Sequence, residues 1–377
     1  MNVLAVYDIS SSSVAGAHVV RTDAAPVMLA SARTNIPLQD DINMSRFVEE
    51  GVKHLGQIVE QIKAKDAHHP THIQVILASP WYVSQTRTIV YKQEKAFTCT
   101  SKLVDGLVDR EVEAILAEGG SFGPDSVVVE KQISSILLNG YETSTPFGKH
   151  ATSLELFLSV TVAPKPVLER FTDVLQRAYG TRTISFTTSP FATYVVMRDV
   201  MPSIAESIII DVGEEITDVA FIKGGIMLYQ HSFPVGTFEL YRTLASIGRH
   251  TTAEAHSMLE AYRLGKLDTS AVVPVEKAIE AFLGTWRAAF REILEGGHYG
   301  FCVPSQCTVT ADPKFQQLFT RVLTTDEFLK HRCTVGEVTV KYLDESVLAG
   351  LVRTADQTAL DVPLATAAVF AQQTVHL

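Results

Sequence analysis

The sequence predicts two related α/β halves that face each other across a cleft. Two observations carry this reading. The order strand, acidic residue, tight turn, strand, short loop, strand, helix occurs twice, once from Asn2 and once from Ser207. Each first strand also ends near an aspartate, Asp8 and Asp211, followed by a tight turn. A supersecondary unit repeated at this offset suggests two domains of one design packed on each other.

The elements follow in order. Asn2 to Ile9 is apolar and β-rich, and the serines Ser10 to Ser13 make the turn after it. Val14 to Val20 and Val27 to Ile36 are the next strands. Residues 44–63 read as an amphipathic helix, with Phe47, Val48, Val52, Leu55, Ile58, Val59 and Ile62 on one face. Ile73 to Ala78 closes the unit as a strand. Between Trp81 and Gly180 the pattern gives a helix over 101–118, strands near 126–138 and 154–162, and a helix over 166–179. The second unit has strands at 207–212, 216–222 and 226–233, then a helix over 237–247. A long amphipathic helix over 275–295 aligns Ile279, Phe282, Leu283, Trp286, Phe290 and Ile293 for packing.

The chain has 377 residues, 46% hydrophobic and 20% charged, enough for two or three globular domains. Its formal net charge is -10 and no stretch concentrates Lys and Arg. That excludes non-specific nucleic-acid binding and adhesion to an anionic membrane, since both need a basic face. No run of about 18 apolar residues is present, so no membrane span or direct insertion is expected. The N-terminus lacks the basic region and cleavage site of a signal peptide. The cysteines Cys99, Cys302, Cys307 and Cys333 contain no C-x-x-C pair and read as reduced thiols of a cytoplasmic protein. The His68-His69 pair, with His72 nearby, reads as a solvated loop. Trp81-Tyr82 reads as a core or hinge anchor, with a partner-binding patch as the alternative.

Turns of small or polar residues can present backbone N–H groups to a phosphate. Carboxylates at Asp8 and Asp211, facing across the cleft, could hold magnesium through water. The other reading makes both aspartates turn formers that accept backbone hydrogen bonds.

These residues resemble the actin-like ATPase superfamily, and within it the FtsA/PilM type of bacterial cell-division and type IV pilus assembly proteins. The first phosphate motif, D-I-G-S-S-S-V-K in the family, is here Asp8-Ile9-Ser10-Ser11-Ser12-Ser13-Val14-Ala15. The second, D-[IV]-G-G-G-T-T-D, is Asp211-Val212-Gly213-Glu214-Glu215-Ile216-Thr217-Asp218. Asp361-Val362-Pro363-Leu364-Ala365-Thr366 resembles the late D-P-x-x-A-T motif. The resemblance spans the chain and implies an actin-like, ribonuclease-H-like two-domain fold with a small α/β subdomain inserted in the first domain. It divides the chain into a first domain over 1–80 and 181–203, an inserted subdomain over 81–180, and a second domain over 204–377.

The resemblance also implies a site. Phosphate binding falls to Asp8, Ser10, Ser11, Ser12, Asp211, Gly213, Thr217 and Asp218, nucleoside binding to Glu254 and Ala311, and magnesium to Asp8 and Asp211. The departures weaken it. Ser10 replaces a glycine, Ala15 a phosphate-binding lysine, and Glu214 and Glu215 two more glycines. Thr308 to Pro313 lacks the glycines of the adenosine loop, and the helix from Thr252 to Gly265 keeps Glu254 but has no lysine. ATP with Mg2+ and a nucleotide-free cleft are equally compatible with these residues. The implied role is a cytoplasmic scaffold with weak or absent ATP binding, recruited to the inner face of the membrane through a short cytoplasmic peptide of a single-span protein. Self-association into filaments, an FtsA-like division role, and an active ATPase or small-molecule kinase are the alternatives.

Overall fold

The computed structural model describes residues 3–40, 42–118, 125–200, 202–296, 304–325, 338–355 and 360–374. Cys302 and Cys333 lie outside them, while Cys99 and Cys307 are free and buried.

The first half begins with an antiparallel meander, β1 (Val3–Ile9), β2 (Ser13–Val20) and β3 (Val27–Asn35). All of β1 is buried, as its run of Val, Leu, Ala, Tyr and Ile requires of a central strand covered on both faces. Helix α1 (Met44–Lys65) starts where the Asn43 side chain accepts from the Arg46 N–H, and it buries Phe47, Leu55, Ile58, Val59 and Ile62. Strand β4 (His72–Leu77) then returns parallel to β1.

The next segment builds its own sheet. It comprises β5 (Val83–Thr98), α2 (Ser101–Ala117), β6 (Ser126–Leu138), β7 (Tyr141–Glu142) and β8 (His150–Pro164), in the order β5-β8-β6-β7. The sequence reading missed β5 because its 16 residues are mostly polar, with only Ile89 buried. Helix α3 (Lys165–Tyr179) packs back on α1, with Phe171 edge-on to the buried Trp81. Trp81 and Tyr82 are therefore core anchors of the first half. Strand β9 (Ile184–Thr188) pairs parallel to β4, and α4 (Ser189–Val200) leads out of it.

The second half repeats the plan. Strands β10 (Ser207–Val212), β11 (Thr217–Lys223) and β12 (Ile226–Phe233) form the meander. Helices α5 (Phe238–Gly248), α6 (Thr252–Arg263) and α7 (Thr269–Gly296) follow, then β13 (Gln306–Thr310), α8 (Gln316–Leu323) and β14 (Thr339–Tyr342). The order β12-β11-β10-β13-β14 matches β3-β2-β1-β4-β9 strand for strand. Trp286 of α7 is fully buried, stacked on Phe290 at 5.2 Å.

The short α9 (Glu345–Leu348) precedes β15 (Arg353–Thr354) and α10 (Val362–Thr374). These last elements depart from the division expected at 204–377. Strand β15 pairs with β3, and α10 packs on β1, β2, β4 and α4. The physical reason is composition. Leu364, Ala365, Ala367, Ala368, Val369, Phe370 and Ala371 make α10 apolar all round, so it must lie between layers. Helices α4 and α10 fill the space between the sheets, in one core with Leu4 and Val6 of β1 and Ile209 of β10.

Candidate functional site

The two turns after β1 and β10 meet at a cavity of about 760 Å³ between the halves, walled in part by Asp8, Ser10, Ser12, Asp211, Glu214 and Asp218. A second cavity of about 540 Å³ adjoins it beside Phe238, Tyr241, His256 and Lys314.

In the first turn, Ser10 closes the loop on itself. Its Oγ accepts from the N–H groups of Ser12 at 3.2 Å and Ser13 at 3.0 Å, and its own N–H donates to the Ser13 carbonyl at 2.9 Å. Ser11 is buried beside them. Asp8 does not face the cleft unpaired. Arg33 Nη2 lies 3.0 Å from Asp8 Oδ2, its Nε and Nη2 donate to Asp361 at 2.7 and 2.8 Å, and its Nη1 donates to Ser13 Oγ at 2.6 Å. Sequence reasoning missed Arg33. The register could have found it, since Asp8 pairs with Ala15 and Ala15 with Arg33, one row on one face of the sheet.

In the second turn, Asp211 accepts from the hydroxyls of Ser189 at 2.9 Å and Thr310. Asp218 accepts from Ser79 at 2.8 Å and from Ser232. Gly213 lines the cavity and donates its N–H to the Ile216 carbonyl at 3.0 Å. Glu214 turns into the cleft, where it lines the cavity wall with Ser12. Glu215 turns away and pairs through both oxygens with Arg242, at 2.6 and 2.8 Å. Thr217 is not in the site. It is fully buried, donates to the Val235 carbonyl at 2.7 Å and accepts from Trp286 Nε1 at 3.1 Å, because β11 turns it into the core of the second half.

Of the two nucleoside candidates, Ala311 lines the cavity. Glu254 does not reach it. Its carboxylate caps α6, accepting from the Thr251 N–H at 2.8 Å and hydroxyl at 2.9 Å. Thr252, Ala253 and His256 of that helix line the second cavity instead. Lys314 supplies the cation there from the loop after β13, paired with Asp312 at 2.9 Å.

Burial sets the electrostatics. It pushes Asp8 up to about 6 against the pull of Arg33, and lifts Asp218 to about 7 with help from the neighbouring Asp211. Asp211 and Glu214 are raised by the same cause. Burial opposes charge on Arg33, but the bonds to Asp361 and Asp8 outweigh it and keep the guanidinium protonated.

Magnesium triphosphate does not fit these residues as they stand. Asp8 is ion-paired with Arg33, both Asp211 oxygens accept hydroxyls, and the first turn's N–H groups are already bonded to Ser10. Glu214 adds a further carboxylate to the cavity wall, which repels an anion. Among the described residues, no group of three or more His, Cys, Asp or Glu is placed to hold a metal ion. What the arrangement does is join the halves directly, through Ser79 to Asp218, Ser189 to Asp211, and Arg242 to the Gln39 carbonyl at 3.0 Å.

One glycine sets the second turn's shape. A Cβ on Gly236 would lie 2.3 Å from the Glu214 carbonyl carbon and oxygen. Gly236→Ala is therefore expected to displace that turn and cost about 2 kcal/mol or more, read from urea unfolding. An unchanged midpoint would show that the turn moves freely.

The chain thus has the two-domain actin-like fold, with a four-stranded sheet set between the fourth and fifth strands of its first half. In sequence, no family model and no curated protein matches it. In structure it is similar to a chain of a PilM-PilN type IV pilus biogenesis complex. The TM-score there is 0.64 at 14% identity, over 98% of this chain and 97% of that one. It also matches the ethanolamine utilization protein EutJ from Carboxydothermus hydrogenoformans, with TM-score 0.46 at 10% identity, over 98% and 88% of the two chains. Among the described residues, no helix is long and apolar enough to cross a membrane.

Proposed function

We propose that this chain is a cytoplasmic, actin-like adaptor that couples a membrane-embedded assembly of the type IV pilus kind to the cytoplasm. It does so by gripping a short cytoplasmic peptide of a single-span membrane protein, which recruits it to the inner face of the membrane. Its nucleotide cleft binds ATP weakly or not at all. The observation that carries this reading is the end-to-end likeness to a chain of the PilM-PilN complex. The paired and bonded cleft carboxylates argue against phosphoryl transfer, which depends on metal ions and free donors at the phosphates.

The test is calorimetric titration of the purified protein with synthetic cytoplasmic peptides of single-span membrane proteins from the same genome. One of these peptides should bind with micromolar affinity. Magnesium-ATP should give no saturable heat at millimolar concentration, in the wild type or in Asp211→Ala. If every peptide fails and ATP binds tightly through Asp211, the adaptor reading is wrong.

A further inference from the structure

We infer that the cleft is self-ligated: Ser10 and Arg33 supply, from within the chain, the acceptor and the cation of the first turn, with the Glu214 side chain set in the cavity wall opposite, and the turns keep their shape without a nucleotide. This rests on the adaptor reading only in taking the cleft as a structural joint.

Three observations support it independently. The first concerns the first turn. A phosphate-binding turn works by leaving consecutive backbone N–H groups free to point at an anion. Here the N–H groups of Ser12 and Ser13 both converge on Ser10 Oγ. The side chain that replaces hydrogen at this position thus supplies the acceptor oxygen.

The second concerns the opposite turn. Glu214 stands there in place of a glycine, and its side chain lines the cavity with Ser12 of the facing turn. The turn's outer side is fixed as well, because the Glu214 carbonyl accepts from the Phe238 N–H at 2.7 Å and the Gly213 carbonyl from the Thr237 N–H at 3.0 Å.

The third concerns charge. Asp8, Ala15 and Arg33 stand in one row across β1, β2 and β3. Ala15 ends at its Cβ, so the Arg33 side chain crosses over it to Asp8 Oδ2 at 3.0 Å. The same guanidinium grips Asp361 with two bonds and Ser13 with a third. The cation of this site is covalently part of the chain, and it ties β1 and β2 to the segment that leads into α10.

Hydrogen exchange on the full chain tests this, with and without millimolar magnesium-ATP, in the wild type, in Ser10→Ala, and in the double variant Ser10→Gly/Glu214→Gly. In the wild type, the amides of residues 12 and 13 should be protected without nucleotide and unchanged by its addition. Ser10→Ala, which keeps the backbone and loses only the acceptor, should speed exchange at residues 12 and 13 by about tenfold or more, and leave β10 and β13 unaffected. The double variant should lose protection at residues 12 and 13 and regain it when magnesium-ATP is added. The inference is overturned if wild-type amides are unprotected until nucleotide is added, or if Ser10→Ala leaves residues 12 and 13 as slow as before. Peptide binding that fails while these exchange results hold would remove the adaptor reading and leave the self-ligated cleft standing.

Discussion

Asp218→Asn is expected to make the protein more stable at pH 8 and no different at pH 4. Asp218 is buried, 3% exposed, and its acid form persists to about pH 7 in the folded chain against an ordinary 3.8. Folding therefore favours the protonated carboxyl. That contribution is fully present below about pH 4, where folded and unfolded chains are both protonated, and is lost as pH rises through 7. Above that, the native state carries a buried charge beside Asp211. Asparagine stays neutral and can still accept from Ser79 and Ser232, so the burial cost disappears. At about 1.4 kcal/mol per pH unit of displaced titration, the gain at pH 8 is on the order of 4 kcal/mol. Thermal unfolding of both proteins across pH 4 to 8 measures it. Parallel curves with no divergence above neutrality would mean that Asp218 titrates as an ordinary surface carboxylate.

Arg242→Met should be the most damaging single change near the cleft. Arg242 faces Glu215, whose side chain is only 4% exposed, and holds both its oxygens. The same guanidinium donates twice to the Gln39 carbonyl, at 3.0 and 3.2 Å, which links α5 of the second half to the loop after β3 of the first. Methionine preserves the packing of the stem but leaves Glu215 without its counterion. Breaking a buried pair by removing one partner costs about 3–5 kcal/mol, and the 17% exposure of Arg242 puts this case near 3. Adding Glu215→Gln should recover a substantial part, because it removes the orphaned charge. Urea denaturation of the single and double variants tests both claims. A single variant within about 1 kcal/mol of wild type would show that water replaces the arginine.

Much of the fold was legible because it is written in local patterns. The two meanders are short apolar runs broken by turns, and each parallel strand follows a strongly periodic helix. Strand β5 was not legible, since it runs at a sheet edge with only Ile89 buried, which leaves no apolar alternation to read. Nor was the return of β15 to β3, a two-residue pairing between positions far apart in sequence. The site divided in the same way. Asp8, Ser10, Asp211, Gly213 and Asp218 line the cavity together because they lie in the two turns or in the strand ends that flank them. Thr217 and Glu254 sit in motif positions, but strand facing and helix capping direct their side chains elsewhere. Arg33 could be found only through the register of three strands, which depends on how the turns close.

The position of α10 sets an order of assembly. The second half, from β10 to β14, is one unbroken stretch that carries its outer core with it. The first half is not. Its inner face, with Leu4, Val6, Ala17 and Met28, is covered by Leu364, Ala365 and Ala368, which the ribosome delivers after every strand of both sheets. During synthesis the half made first must wait with apolar surface open, while the inner face of the half made second can already close on α4. Such an intermediate invites aggregation or chaperone capture. Chains halted before residue 360 should hold a native second half beside a protease-sensitive first one.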